Sequence, residues 1–129
     1  MNRKTLKPVD PTKRHVVNIN TTPFEPMLQS DGRHAGESAL QLGEERKLAS
    51  GFHVYRMAPG TQTEPHAHIG EEHFLVLEGT VIDHDGFAYG PGDLVCLDEG
   101  TVHFSHSPEG ALLVVFYGTP ELAHRVEKR

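Results

Sequence analysis

Apolar residues in this chain come in short bursts, rich in β-branched and aromatic side chains and separated by glycine and proline at regular intervals. That composition suits pleated, half-buried strands. Strands are expected over residues 15–20, 51–57, 66–68, 73–78, 80–83, 87–89, 94–97, 102–106 and 112–117. Between two of them stands Asp83-His84-Asp85-Gly86, and an Asp-Gly pair signals a tight hairpin turn with positive φ. Pro59-Gly60, Gly90-Pro91-Gly92 and Glu99-Gly100 mark further turns. Helix is scarce. Residues 38–47 read as a short helix or an irregular link between strands, with Gly43 arguing against a long helix. At the end of the chain, Thr119 can cap a terminal turn or two over 120–128 that starts at Pro120, where a missing N–H does no harm. Many short strands without repeats point to an all-β sandwich or barrel.

At 129 residues the chain can build one core of useful size and not two. The expected division is a flexible basic arm over 1–14 and a single barrel domain over 15–129. The arm carries Arg3, Lys4, Lys7, Lys13 and Arg14, without the apolar stretch of a secretory signal. No apolar run approaches the roughly 20 residues that span a bilayer, so no membrane partner and a cytoplasmic location are expected. The formal net charge is −6. Beyond residue 56, Lys and Arg occur only at 125, 128 and 129, which argues against a nucleic-acid partner. The single cysteine, Cys96, excludes an intrachain disulfide and a thiolate metal cluster. Its place in the apolar run 94–97 reads as a buried, inert thiol.

Histidine changes the picture. There are ten, and six of them (His66, His68, His73, His84, His103, His106) fall within about forty residues. In an extended segment, His66 and His68 project from one face about 6–7 Å apart. Two imidazoles so placed can grip one metal ion at about 2.0–2.1 Å. Pro65 favours the extended conformation. After a short turn, Glu72 opens the next strand on the face of Phe74 and Val76. A carboxylate entering an apolar interior needs a cation, so Glu72 is the expected ligand and Glu71, on the other face, the alternative. Local geometry does not place His103. His106, three residues on, would face away from it.

Gly60, His66, His68, Glu72 and Gly79 stand at the spacing G-x5-H-x-H-x3-E-x6-G, which resembles the first motif of the cupins. Gly92, Gly100 and His103 resemble the second, with Asp98 where proline is usual and Ser107 where asparagine is usual. The resemblance implies a cupin double-stranded β-helix, a jelly-roll barrel with little helix. It also implies one divalent metal ion (Fe, Zn, Mn, Ni or Co) held by His66, His68, Glu72 and His103. Glu71-Glu72, the stretch Val76-Leu77-Glu78-Gly79, and then Asp83, Gly86 and Gly90-Pro91-Gly92 look like the cupin domain of zinc-dependent anti-sigma factors and acetylacetone-cleaving dioxygenases. Neither the length nor the cysteines for the helical zinc domain of such anti-sigma factors are present. The likeness further implies a homodimer, with a strand such as 15–20 adding to a neighbour's sheet edge.

Three imidazoles and one carboxylate leave open positions on Fe, Mn, Ni or Co, and one fold hosts many chemistries. The leading expectation is an Fe(II)-type dioxygenase for a small dicarbonyl, enol or phenolic substrate, with Phe74, Val76 and the Phe104 region shaping the pocket. The alternatives are a module that holds metal and a small ligand without turnover, and a metal-dependent sugar isomerase or epimerase. For the last, His53, Tyr55 and His106 are the available bases. No role is assigned to His73 or His84.

Overall fold

The computed structural model describes residues 3–43, 46–118 and 124–125, the last two and Lys4 by backbone alone. Among the described residues the chain forms β1 Glu25–Leu28, β2 His34–Gln41, β3 Phe52–Met57, β4 Thr61–Gln62, β5 His66–Ala67, β6 Glu72–Gly79 and β7 Val81–Asp83. These are followed by β8 Ala88–Tyr89, β9 Leu94–Leu97, β10 Val102–His103, β11 Ser105–Ser107, β12 Ala111–Tyr117 and β13 His124–Arg125. All pairings are antiparallel. The largest sheet runs β1-β2-β3-β12-β6-β9, and two smaller ones run β4-β11-β7-β8 and β10-β5-β13. This is the jelly-roll barrel that the turn-and-strand rhythm and the motif spacing imply.

The core follows from period-2 alternation meeting in register. β12 sets Leu113 opposite both Tyr55 and Val76, and Val115 opposite both His53 and Phe74. Met57, Phe74, Val76, Val81, Tyr89, Ala111, Leu113 and Val115 form one buried cluster. Phe74 meets Tyr89 edge to face, with centroids 5.2 Å apart, and so ties the large sheet to β8 of the smaller one. Truncating such a core aromatic costs about 3–5 kcal/mol. The hairpin at 83–86 closes as its sequence demands, with Gly86 at φ 89° and its N–H donating to the Asp83 carbonyl.

Several expectations need correction. Residues 15–20 form no strand: Asn18 Oδ1 accepts from the Asn20 N–H and Thr22 Oγ1 from the Asn18 N–H, and these local bonds bend the chain. The expected dimer therefore loses the strand on which it rested. Of residues 38–47, expected as a short helix or an irregular link, 38–41 are the end of the strand β2 His34–Gln41, and the described residues after it are irregular. Ala39 and Leu40 are adjacent and both buried, so the alternation that marks a strand is missing there. β1 and β4 also form where no strand was expected. Cys96 is exposed, because β9 turns Val95 and Leu97 inward and leaves Leu94 and Cys96 outside. The helical turn expected over 120–128, with its Thr119 cap, lies outside the described residues except at 124–125, which pair with β5. Among the described residues no helix is long and apolar enough to cross a membrane.

Candidate metal centre

β5 and β10 pair with His66 directly opposite His103. The pairing runs on beyond β5: the His68 N–H donates to the Thr101 carbonyl at 3.0 Å, and the His68 carbonyl accepts from Gly100 at 2.8 Å. This register supplies the placement of His103 that local spacing could not. The turn below it does without the usual proline, because the Asp98 carbonyl accepts from both the N–H and the hydroxyl of Thr101.

The three imidazoles converge. Ring centroids lie 4.5 Å apart for His66 and His103, and 5.0 Å apart for His68 and each of the others. His68 Nε2 is 2.9 Å from His103 Nε2. Glu72 Oε1 is 3.4 Å from His68 Nε2, while Glu71 is exposed on the outside of the barrel. Donors about 2.0–2.1 Å from a tetrahedral ion stand about 3.3 Å from one another; the donor atoms of His66, His68 and His103 all lie within 4.8 Å of one another, as one ion requires, while Glu72 lies beside His68 and outside that group of three. Two of the rings are aimed from behind. His66 Nδ1 donates to the Glu64 carbonyl at 2.8 Å and His103 Nδ1 to Asp83 Oδ1 at 2.9 Å, which leaves both Nε2 lone pairs facing inward.

Electrostatics favour a cation at this point. Burial drives the Glu72 carboxyl up to about 7, against the pull of a hydrogen bond from Tyr117 and of nearby His103. Burial, helped by His66 and His103, pushes His68 down to about 4. His68 Nδ1 is buried without a hydrogen-bond partner among the described residues. Burial also acts to raise Asp83, but hydrogen bonds from His103, Ser105 and Tyr89 outweigh it and hold the carboxyl at about 2. Asp83 is thus a fixed anion behind the His103 ring. Three imidazole nitrogens and a buried acid with no Lys or Arg along the cavity fit a divalent ion.

His66, Glu72 and His103 line an interior cavity of about 100 Å³. Met57, Phe74, Val81, Leu113 and Val115 give it apolar walls, and His53, Tyr55, Glu37 and Tyr117 add polar groups. Tyr55 donates to Glu37 Oε2 at 2.6 Å. Burial and the neighbouring carboxylates keep both tyrosines protonated, Glu37 acting on Tyr55 and Glu72 on Tyr117. Burial likewise lowers His53, which stacks on Tyr117. Met27, Glu37, Thr63, His66 and Tyr117 also line a wider outer groove, which gives the cavity its approach.

Phe104 does not shape this cavity; it lies against the exposed His84, with centroids 5.3 Å apart. Val76 packs in the core and Phe74 serves both core and cavity. His106 faces away, opposite Gln62 and Ile82, and is no base for chemistry here. Glu37 and Tyr117 were missed. Glu37 sits in an unrecognised strand, and nothing local marks Tyr117 as more than the last residue of a core strand.

A jelly-roll barrel with a cluster of imidazoles at the mouth of its apolar interior defines a cupin. Residues 12–121 match the family described as the ChrR cupin-like domain, and the chain belongs to that family. No curated protein matches. Among solved structures, the polyketide cyclase RemF of Streptomyces resistomycificus superposes with a TM-score of 0.64 at 21% identity, covering 90% of this chain and 87% of that one. The acetylacetone dioxygenase of Acinetobacter johnsonii gives 0.62 at 13% identity, over 98% and 91%. The anti-sigma ChrR of Rhodobacter sphaeroides, solved in complex with SigE, gives 0.58 at 17% identity over 76% of this chain. This match spans 50% of the ChrR chain. At such identities these likenesses concern the fold.

Proposed function

We propose that His66, His68, Glu72 and His103 hold one divalent metal ion and that the chain is an Fe(II)-type dioxygenase for a small dicarbonyl, enol or phenolic substrate. The observation that carries this reading is the convergence of three imidazoles at the edge of a small apolar cavity, with the buried acid Glu72 beside one of them. A bound divalent ion supplies Lewis acidity there and, if redox-active, the means to activate O₂. With Glu72 ionised the site has a net charge of about +1, which suits an enolate or phenolate oxygen. Glu64 and Asp83 hold the rings of His66 and His103 in place. Tyr117 donates to Glu72 and keeps its carboxylate oriented. Phe74, Leu113 and Val115 exclude water. Glu37, hydrogen-bonded to Tyr55, offers a proton acceptor at the cavity wall, able to take the acidic proton of a diketone or phenol.

The test is anaerobic loading with Fe(II), followed by oxygen-uptake measurements with β-diketones, enols and catechol-like phenols. Oxygen consumed in step with substrate is the expected result. Silence across these substrates, with metal bound, would overturn it. The small size of the cavity favours one second reading, a module that binds metal and a small ligand without turnover; ligand-induced thermal stabilisation in the absence of oxygen uptake would select it.

A further inference from the structure

On the outer side of the same barrel wall lies a second set of donors. β6 and β9 pair with His73 opposite Cys96 and Glu72 opposite Leu97. One step further the same register brings Glu71 beside Asp98. Because Glu72, Phe74, Val95 and Leu97 turn toward the interior, the four residues between and beside them turn out. Two strands thus present a two-by-two array of side chains, i and i+2 on each, with directly opposite pairs close enough to touch.

We propose that Glu71, His73, Cys96 and Asp98 form a second cation site, on the outer face of the barrel, that takes one zinc-class divalent ion. His73 Nε2 is 3.1 Å from Glu71 Oε1. Cys96 Sγ is 3.7 Å from Glu71 Oε2 and 3.7 Å from Asp98 Oδ1. One donor each from Glu71, His73 and Cys96 falls within 4.8 Å of the others. With Zn–S about 2.3 Å and Zn–N or Zn–O about 2.0 Å, a tetrahedral ion separates its ligand atoms by roughly 3.3–3.5 Å. The His73–Glu71, Cys96–Glu71 and Cys96–Asp98 contacts are within a few tenths of an ångström of that spacing, and Asp98, which touches Cys96, stands beside the group of three as its fourth donor. Its backbone is held as well: the Glu71 carbonyl accepts from the Gly118 N–H at 2.9 Å. A thiolate and an imidazole select zinc, cobalt or cadmium over magnesium or calcium, and the two carboxylates complete the shell. An ion there would pin the edge strand β9 to β6, directly behind Glu72. The site is independent of the reading of the interior centre, which contains no sulfur.

The experiment is a Co²⁺ titration of the full chain, stripped of metal and kept reduced with a phosphine. Cys96 is the only cysteine, so a thiolate-to-cobalt charge-transfer band in the near ultraviolet reports this site alone. The band should saturate with one thiolate-bound Co²⁺ per chain, whether or not a second Co²⁺ fills the interior centre. C96S should lose the band and one equivalent, H73A should weaken the band's titration at least tenfold, and H103A should keep the band. C96S and H73A alter exposed side chains, and their circular dichroism should stay that of the parent. No band at excess Co²⁺, or a band that H73A leaves unchanged, would overturn the proposal.

Discussion

Asp83 holds His103 from behind: its Oδ1 accepts from His103 Nδ1 at 2.9 Å and also from the Ser105 hydroxyl, while its Oδ2 accepts from Tyr89. D83N keeps the size of the side chain but replaces an acceptor with a donor, so the ring is no longer held with Nε2 free. Metal affinity should fall about 10- to 100-fold and stability by about 1–3 kcal/mol. Calorimetric titration and thermal melts are the measurements. Unchanged affinity would show that Asp83 does not orient the ring.

Removing a ring outright is harsher. H66A and H103A should each lower metal stoichiometry well below one per chain at the interior centre, with a lower Tm for the metal-loaded protein, since binding is linked to folding. Elemental analysis after gel filtration reads this. Full retention in both variants would remove the centre as assigned.

Glu72 and His68 make the metal-free protein respond to pH in opposite senses. Glu72 is raised from 4.5 to about 7, so its contribution is fully present below 4.5 and is lost as pH rises through about 7. His68 is lowered from 6.5 to about 4, so stability falls as pH drops from 6.5 toward 4. Between 4.5 and 6.5 the two slopes oppose one another, and near 7 only that of Glu72 remains. If Glu72 is a ligand as proposed, metal binding below pH 7 releases its proton. Calorimetry at pH 6 in two buffers of different ionisation enthalpy should show about one more proton released by the wild type than by E72Q. Equal release would mean that Glu72 is already ionised.

Glu37 is the acid that the proposed chemistry would use, and it is not among the grouped donors of the centre. E37Q should leave metal stoichiometry unchanged and cut turnover of a diketone by about 10²–10⁴-fold, the range for a lost general base. Y55F, which removes the hydroxyl bound to it, should have a smaller effect. Steady-state oxygen uptake decides between this and a structural role, for which turnover would not change.

Two glycines with similar backbone angles should behave differently. Gly79 has φ 78° and a Cβ there would overlap the carbonyl oxygen of Gly110. Gly86 has φ 89° with open space around it. G86A should cost about 1–2 kcal/mol, the price of a left-handed alanine, and G79A distinctly more. Urea denaturation of both variants would reveal equal losses if the close approach to Gly110 were relieved easily.

Much of this molecule was legible in one dimension. The strands β3, β6, β9 and β12 follow from short bursts of β-branched and aromatic residues between turn signals, and the hairpin at 83–86 from the needs of an Asp-Gly turn. The nearness of His66 to His68, and of Glu72 to His68, follows from spacing within one short segment. Where a signal was weak or misleading, the reason is physical. β2 is buried on adjacent residues and so shows no alternation. Residues 15–20 look apolar enough for a strand, yet Asn18 and Thr22 bend them by local hydrogen bonds. Cys96 sits in an apolar run but on its outward side.

What the amino-acid order determined by itself is everything set by neighbours within a few positions: strand faces, turns, and the donors carried by one segment. Only the tertiary structure decided what depends on register between distant strands. The β5–β10 pairing sets His103 against His66, the closure of the sheets brings Asp83 behind His103, and the barrel interior turns Glu37, Tyr55 and Tyr117 toward a common cavity. Those contacts join residues far apart along the chain, and no local pattern encodes which strand will lie beside which.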